Sequence, residues 1–283
     1  MSPNPPTTSE DTPPPPVVLS IAGSDCSGGA GLQADLKTFA YFQTHGLTAL
    51  TAVVAEAPGH VVSIEAVSPD ILEAQLKILA ESFAIQAVKT GMLANARLCG
   101  VVAHFLENLD GDQAIPIVID PVLLASSGTA LLDPDALAIY RQRLFPLATL
   151  ATPNLGEIAA LLDIPPISSH EEMDQAARKF TGQYQCMTLL KGGHLDGSDS
   201  TDVLWDGTSI HDFSAARIRG KNPSGTGCTL SAAIAALLAH DYPLLEAITS
   251  AKEYVTAAIS QSSVLSTSST KIETLNHFPL GID

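Results

Sequence analysis

Short apolar runs alternate along this chain with amphipathic stretches, the pattern of βαβ units around a mostly parallel sheet. VVLSIAG (Val17 to Gly23) predicts a buried strand, and Ala30 to Thr44 a helix stopped at His45 and Gly46. Leu47 to Glu56 is β-branched and nearly continuous in apolar character, as suits a strand covered on both faces. HVVSIEAV, from His60, predicts a short strand beside it. Ser68 and Pro69 then supply an N-cap and a first-turn proline for a helix in which Ile71, Leu72, Gln75, Leu76, Leu79 and Phe83 keep helical spacing. The strand IQAVKTG, a helix from about Asn95, the strand IPIVID and a helix started by Asp133 and Pro134 continue the alternation. TLATP, a helix from Asn154, a helix through HEEMDQAARKF and the strand CMTLLKGG follow. TDVLWDG and SIHDFSA pair as a hairpin around Asp206 and Gly207, and helices from Cys228 to His240 and from Pro243 to about Ser262 close the chain. No internal repeat of solenoid or propeller length is present.

Composition narrows the class. The 283 residues are 46% apolar, enough to bury one sizeable core, so a single domain is expected over residues 16–283. MSPNPPTTSEDTPPPP is too rich in Pro and polar residues to pack, and residues 1–15 are expected to form a disordered tail. The formal charge of -16 argues against a nucleic-acid or anionic-membrane partner, since both are read through clustered Lys and Arg. An anionic substrate would therefore need a locally positive site. No apolar run reaches the roughly 18 residues of a spanning helix. Cys26, Cys99, Cys186 and Cys228 are widely spaced, without zinc-site pairing, which fits a reduced, cytoplasmic protein.

Candidate chemistry gathers in turns at strand ends, where open α/β sheets bind their ligands. These turns are AGSDCSGGAG, IDPVLLASSG, TPNLGE and KGGH, with GTGC opening a helix. The first amides of a helix lack intrahelical partners and lie at the positive end of its dipole, so GTGC is suited to an anion. Gly225 and Gly227 would let the backbone approach a phosphate, and Ser231, Ala232 and Ala233 would let the helix sit close to the sheet. A thiol on that first turn, Cys228, is expected to have a lowered pKa and to accept a proton; the alternative is a small buried hydrophobe. Gly29 to Ala34 also fits G-x-G-x-x-A after a strand, with Glu56 ending the next strand, so a nicotinamide-dependent oxidoreductase is a rival reading. That rival leaves TPNLGE, KGGH and GTGC without a role. His60, His194 and His211 are expected to be structural or solvated, His194 being the one candidate exception.

In order and spacing, AGSDCSGGAGLQADLKTF, VKTGMLA, IDPVLLASSG, TPNLGEIAALL, LLKGGH and GTGCTLSAAIAA resemble the hydroxymethylpyrimidine kinase/phosphomethylpyrimidine kinase family of thiamine biosynthesis, within the ribokinase-like superfamily. The resemblance covers about Val17 to Ser260. It implies a three-layer α/β/α sandwich with a mostly parallel central sheet, and Mg-ATP as phosphoryl donor. It also implies two successive phosphorylations, of 4-amino-5-hydroxymethyl-2-methylpyrimidine and then of its monophosphate. By position, Cys228 matches the family's catalytic cysteine, and Gly225, Thr226 and Gly227 its anion hole. Asn154 and Glu157 match the motif that organises Mg2+ and phosphate, Lys191 lies at the ATP phosphates, and Asp120 matches an acid near them; Asp120 and Glu157 are the implied Mg2+ residues. Gly23, Asp35, Glu56, Met92 and Val122 match positions around the pyrimidine. Homodimers are common in the superfamily, so a homodimer is expected.

Four departures bear on the acceptor. Ser126 replaces a lysine of many relatives, Ser224 a histidine and Cys26 a proline, and AEAPG replaces AQNT or AENT. An ionised Glu56 only accepts hydrogen bonds, so it can take an exocyclic amine but engages a ring nitrogen only if one partner gains a proton. These departures make pyridoxal or pyridoxine the alternative acceptor.

Overall fold

A computed structural model describes residues 13–109, 114–123, 134–193, 195, 197–266 and 271–281. In chain order its first half comprises β1 (Val17–Asp25), α1 (Gly31–Tyr41), β2 (His45–Ala57), β3 (His60–Ala66), α2 (Pro69–Ser82), β4 (Ala87–Thr90) and α3 (Ala96–Glu107). The second half comprises β5 (Ile117–Ile119), α4 (Pro134–Ile139), β6 (Leu150–Ala151), α5 (Leu155–Leu162), α6 (His170–Tyr184), β7 (Met187–Leu190), β8 (Asp199–Trp205), β9 (Ile210–Ala216), α7 (Thr226–Ala239) and α8 (Leu244–Ser260). A terminal hairpin pairs β10 (Ser263–Ser266) with β11 (Lys271–Thr274).

One nine-stranded sheet runs β3-β2-β1-β4-β5-β6-β7-β8-β9. Neighbours from β2 to β7 are parallel, and β3, β8 and β9 are antiparallel additions at the two edges. The alternation of side chains along each strand splits the core into two layers. Leu19, Val88, Ile119, Leu190 and Val203 face the layer that contains Leu76, Leu98, Leu161 and Phe180 of α2, α3, α5 and α6. Val18, Ala87, Val118, Leu189 and Leu204 face the layer formed by Phe39 of α1 with α7 and α8. The expected α/β/α sandwich is therefore present. α7 is buried from Thr229 to Ala239, which explains a helix apolar on every side.

Local signals place several boundaries. The Ser68 hydroxyl accepts from the Ile71 amide at 3.3 Å with Pro69 in the first turn, as the sequence predicts. The first helix ends earlier than expected: Gln43 takes a left-handed φ of 55° beyond its end, and His45 already belongs to β2. The β10–β11 hairpin was not foreseen, because its Ser- and Thr-rich sequence lacks a clear apolar alternation. Ser126, His194 and residues 1–12 lie outside the described residues, while Pro13 to Pro15 are exposed. Among the described residues no helix is long and apolar enough to cross a membrane.

Candidate active site

The carboxyl ends of β1, β2, β4, β5, β6 and β7 open on one side of the sheet, beside the first turn of α7, around a cleft of about 660 Å³. Gly23, Glu56, Met92, Asp120, Val122, Asn154, Glu157, Lys191 and Gly225 to Cys228 all line it. Asp35 does not: it is fully buried on α1, with both carboxylate oxygens on Lys89 at 2.9 and 2.8 Å and one accepting from Ser20 at 2.5 Å. Asp35, expected at the acceptor pocket, therefore reaches the cleft only through Lys89. Asp35 stands behind Lys89, and the lysine lines the cleft. The Asp35 carboxylate, together with the fields of Cys228 and Asp120, raises the Lys89 pKa against burial, so Lys89 stays cationic.

The glycine-rich turn after β1 is organised from within. The buried Asp25 carboxylate accepts from the amides of Ser27, Gly29 and Ala30 at 2.7, 3.0 and 2.7 Å. Those three amides are spent within the turn and the Gly31 amide is turned to Cys228, which weighs against a dinucleotide pyrophosphate at this turn and against the oxidoreductase reading. Gly225 caps α7 with φ 85°, and a Cβ there would collide with the carbonyl oxygen of Gly29. The turn before α1 and the turn before α7 are thus in direct contact, which brings two helix N-termini together.

Cys228 sits where they meet. The Gly31 amide donates toward its thiol. In α7 the first helical bond runs from the Thr229 amide to the Gly225 carbonyl, so the amides of Thr226, Gly227 and Cys228 have no partner within the helix. The expected low thiol pKa is not found. Burial pushes the thiol up to about 11, and the Asp120 and Asp35 carboxylates add to it, against the favourable field of Lys89. Desolvation outweighs the helix terminus here.

At the donor end, Lys191 Nζ bonds Asp120 Oδ1 at 2.8 Å, and the Ser231 hydroxyl donates to the other Asp120 oxygen at 3.2 Å. A Cβ on Gly227 would lie 3.1 Å from Lys191 Nζ, so glycine leaves that cation room beside the helix terminus. Asn154 and Glu157 form a capping box on α5, with the Glu157 amide donating to Asn154 Oδ1 at 2.9 Å and the Asn154 amide donating to Glu157 Oε2 at 2.8 Å. Burial pushes Glu157 up to about 7, with Asp120 adding to the effect and Lys191 opposing it. The acid that could help hold a metal is therefore also the acid that caps its own helix.

At the other end of the cleft the wall is apolar. Ala52, Val54 and Met92 pack with Val122, and a Cβ on Gly23 would come within 2.8 Å of Met92 Cε. Glu56 supplies the polar group there; burial, with the field of Asp25, pushes it up to about 6. Cys26 Sγ donates to the Glu56 carbonyl at 3.2 Å and so ties the first turn to the end of β2.

Five of the protein's fourteen Lys and Arg line the cleft, namely Lys89, Lys191, Arg217, Lys221 and Lys252, but Asp25, Glu56, Asp120, Glu157 and Asp202 line it too. Lys89, Lys191 and Lys252 are already in ion pairs. Attraction for phosphate must then come from the open amides of α7 and from a cation shared with the acids. Hard carboxylate oxygens such as those of Asp120 and Glu157 suit Mg2+. The sequence reading missed Lys89, Asp25 and Arg217 as site residues. A lysine inside the apolar run IQAVKTG was the available signal for the first, since such residues are almost never buried unpaired.

A larger open groove of about 1580 Å³ lies between α2 and α3, at the amino ends of β4 and β5, but it holds none of these groups. His211 bonds Asp206 at 2.7 Å within the β8–β9 hairpin, a structural role as expected.

Residues 25–273 match the family model for phosphomethylpyrimidine kinase. The hydroxymethylpyrimidine/phosphomethylpyrimidine kinase of Rhizobium meliloti (strain 1021) is 43% identical over 244 residues, covering 86% of this chain and 90% of the relative. Among solved structures, an ADP complex of Bacillus subtilis pyridoxal kinase superposes with a TM-score of 0.84 at 34% identity, covering 94% of this chain and 98% of that one. A phosphomethylpyrimidine kinase from Clostridium difficile 630 superposes with a TM-score of 0.74, also at 34% identity, over 86% of this chain and 99% of that one. With matches of this length on both measures, the chain belongs to the phosphomethylpyrimidine kinase family.

Proposed function

We propose that the protein transfers the γ-phosphoryl group of Mg-ATP to 4-amino-5-hydroxymethyl-2-methylpyrimidine and then to its monophosphate, yielding the diphosphate used in thiamine biosynthesis. The supporting observation is one cleft that joins a small apolar pocket bearing Glu56 to the GTGC turn and the Asp120 and Lys191 pair. Phosphoryl transfer through a loose transition state depends mainly on positioning and on neutralising charge. The amides of Thr226, Gly227 and Cys228 would hold the equatorial oxygens, and Lys191 the bridging side. Mg2+, held through Asp120 and Glu157, would supply the remaining neutralisation. In its thiolate form Cys228 takes the hydroxymethyl proton as that oxygen bonds to phosphorus and the bond to the ADP oxygen breaks. The same reading takes residues 16–283 as one kinase domain, acting as a cytoplasmic homodimer.

ADP release with Mg-ATP tests the function directly. Hydroxymethylpyrimidine, its monophosphate, pyridoxal and pyridoxine are compared against a blank without acceptor. Turnover of both pyrimidines is the expected result. Turnover of the B6 vitamers alone would keep the mechanism and reassign the pocket, and silence from all four would overturn the kinase reading.

A further inference from the structure

The turn between β7 and β8 carries KGGH and borders the donor end of the cleft through Gly193 and Ser200. One side chain from elsewhere binds four of its carbonyls. Arg217 directly follows β9, and its amide donates to the Ser198 carbonyl at 2.8 Å, extending the β8–β9 ladder. Its guanidinium then donates to four backbone carbonyls of the turn. Nη1 reaches Gly193 at 2.6 Å, Nη2 reaches Leu195 at 2.5 Å and Asp199 at 3.1 Å, and Nε reaches Gly197 at 3.2 Å. Every second carbonyl from 193 to 199 faces this one cation.

A guanidinium has five N–H donors in a rigid fork, and four bonds here leave at most one for a ligand. Arg217 therefore cannot serve as a bidentate phosphate clamp, even though it lines the cleft. What it does is hold backbone that two glycines leave without side chains: Gly193 and Gly197 have none, and Gly197 takes a φ of 147°, while Leu195 packs against the core and its amide donates to the Gly192 carbonyl at 3.0 Å. The start of the turn is held separately. The Gly192 amide donates to Asp202 Oδ1 at 3.0 Å, and Lys252 of α8 bonds Asp202 Oδ2 at 2.7 Å.

We propose that Arg217 is a positioning residue for the nucleotide, holding the backbone at Gly193, Leu195, Gly197 and Asp199 so that Gly193 and the adjoining Lys191 meet the phosphates without reorganisation. The inference rests on the kinase reading. When a binding-competent conformation is only fractionally populated, apparent affinity falls by that fraction. Arg217→Met and Arg217→Lys are both expected to raise KM for ATP about tenfold, as for a competent fraction of roughly a tenth. KM for the acceptor should not move, and kcat at saturating ATP should stay within about threefold of wild type, because saturating ligand restores the competent population. An ammonium is a compact point charge that cannot span four carbonyls, so lysine should not rescue.

Wild-type KM for ATP in Arg217→Lys would overturn the proposal, because charge alone would then suffice. So would an unchanged KM for ATP in both variants, or a fall in kcat with a matching rise in acceptor KM, which would mark general loss of structure. Amide hydrogen exchange on the nucleotide-free proteins gives a second readout. Faster exchange confined to the 193–199 turn is expected in both variants, and wild-type protection there would overturn the proposal. If wild type releases no ADP with any acceptor, the kinase reading falls, while the exchange experiment still decides whether Arg217 holds the turn.

Discussion

A thiol with a pKa near 11 is nearly all protonated at neutral pH, so the thiolate of Cys228 is scarce and its supply rises with pH. For the alcohol acceptor, kcat at saturation should climb about tenfold per unit between about pH 7 and about pH 9. The monophosphate acceptor has a second pKa of roughly 6 and is already ionised, so its kcat should stay flat. Cys228→Ala should accordingly reduce kcat for the alcohol far more than for the monophosphate, and equal losses would rule the thiol out as the base. Glu56 works in the opposite direction. Its pKa of about 6 means that a shared proton with a ring nitrogen must be taken up from solution above that pH. Pyrimidine affinity, measured as Kd by calorimetry, should weaken about tenfold per unit above about pH 6. Glu56→Gln, whose amide both donates and accepts, should flatten the profile and bind more tightly than wild type at about pH 8. The two slopes cancel in kcat/KM, so only separate measurement of kcat and Kd exposes them.

Between elements, the Asp35 and Lys89 pair joins α1 to β4 with both side chains fully buried. Removing one member of such a pair strands the other, so Asp35→Asn should destabilise by about 3–5 kcal/mol in a denaturant titration, whereas a surface pair would give under about 1 kcal/mol. Asp35→Leu combined with Lys89→Met should recover most of that stability while abolishing turnover. A small loss in Asp35→Asn would show that water reaches the pair. The elements themselves were largely legible, because strand period, the Ser68 cap and the Asn154 box are local signals. What was not legible depends on three-dimensional convergence. Asp25 reads as an ordinary turn residue until its carboxylate is found holding three amides, and Asp35 reads equally as an acceptor contact or as a surface partner of Lys37 or Lys89 until the pair with Lys89 is found fully buried. Arg217 gives no sign in sequence at all, since its four partners are backbone atoms 18 to 24 residues away.

For the whole molecule, parallel strands deliver their chemistry to one edge of the sheet, which is why motifs spread from Gly23 to Cys228 meet in one cleft. On the proposed reading, the acidic surplus would not prevent an anionic ligand from binding, because the main-chain amides of α7 do not enter a charge count. The sign of the thiol shift also escaped the sequence, since a helix terminus is visible there and the degree of desolvation is not. The contact of Gly225 with Gly29 has a consequence for evolvability. The loop that frames the acceptor and the loop that would grip the phosphates meet backbone to backbone, with no side chain between them to absorb a change. A lineage, or a directed library, that reshapes one loop for a new alcohol inherits the other as a constraint, and these two glycines mark where acceptor choice and phosphate binding must vary together.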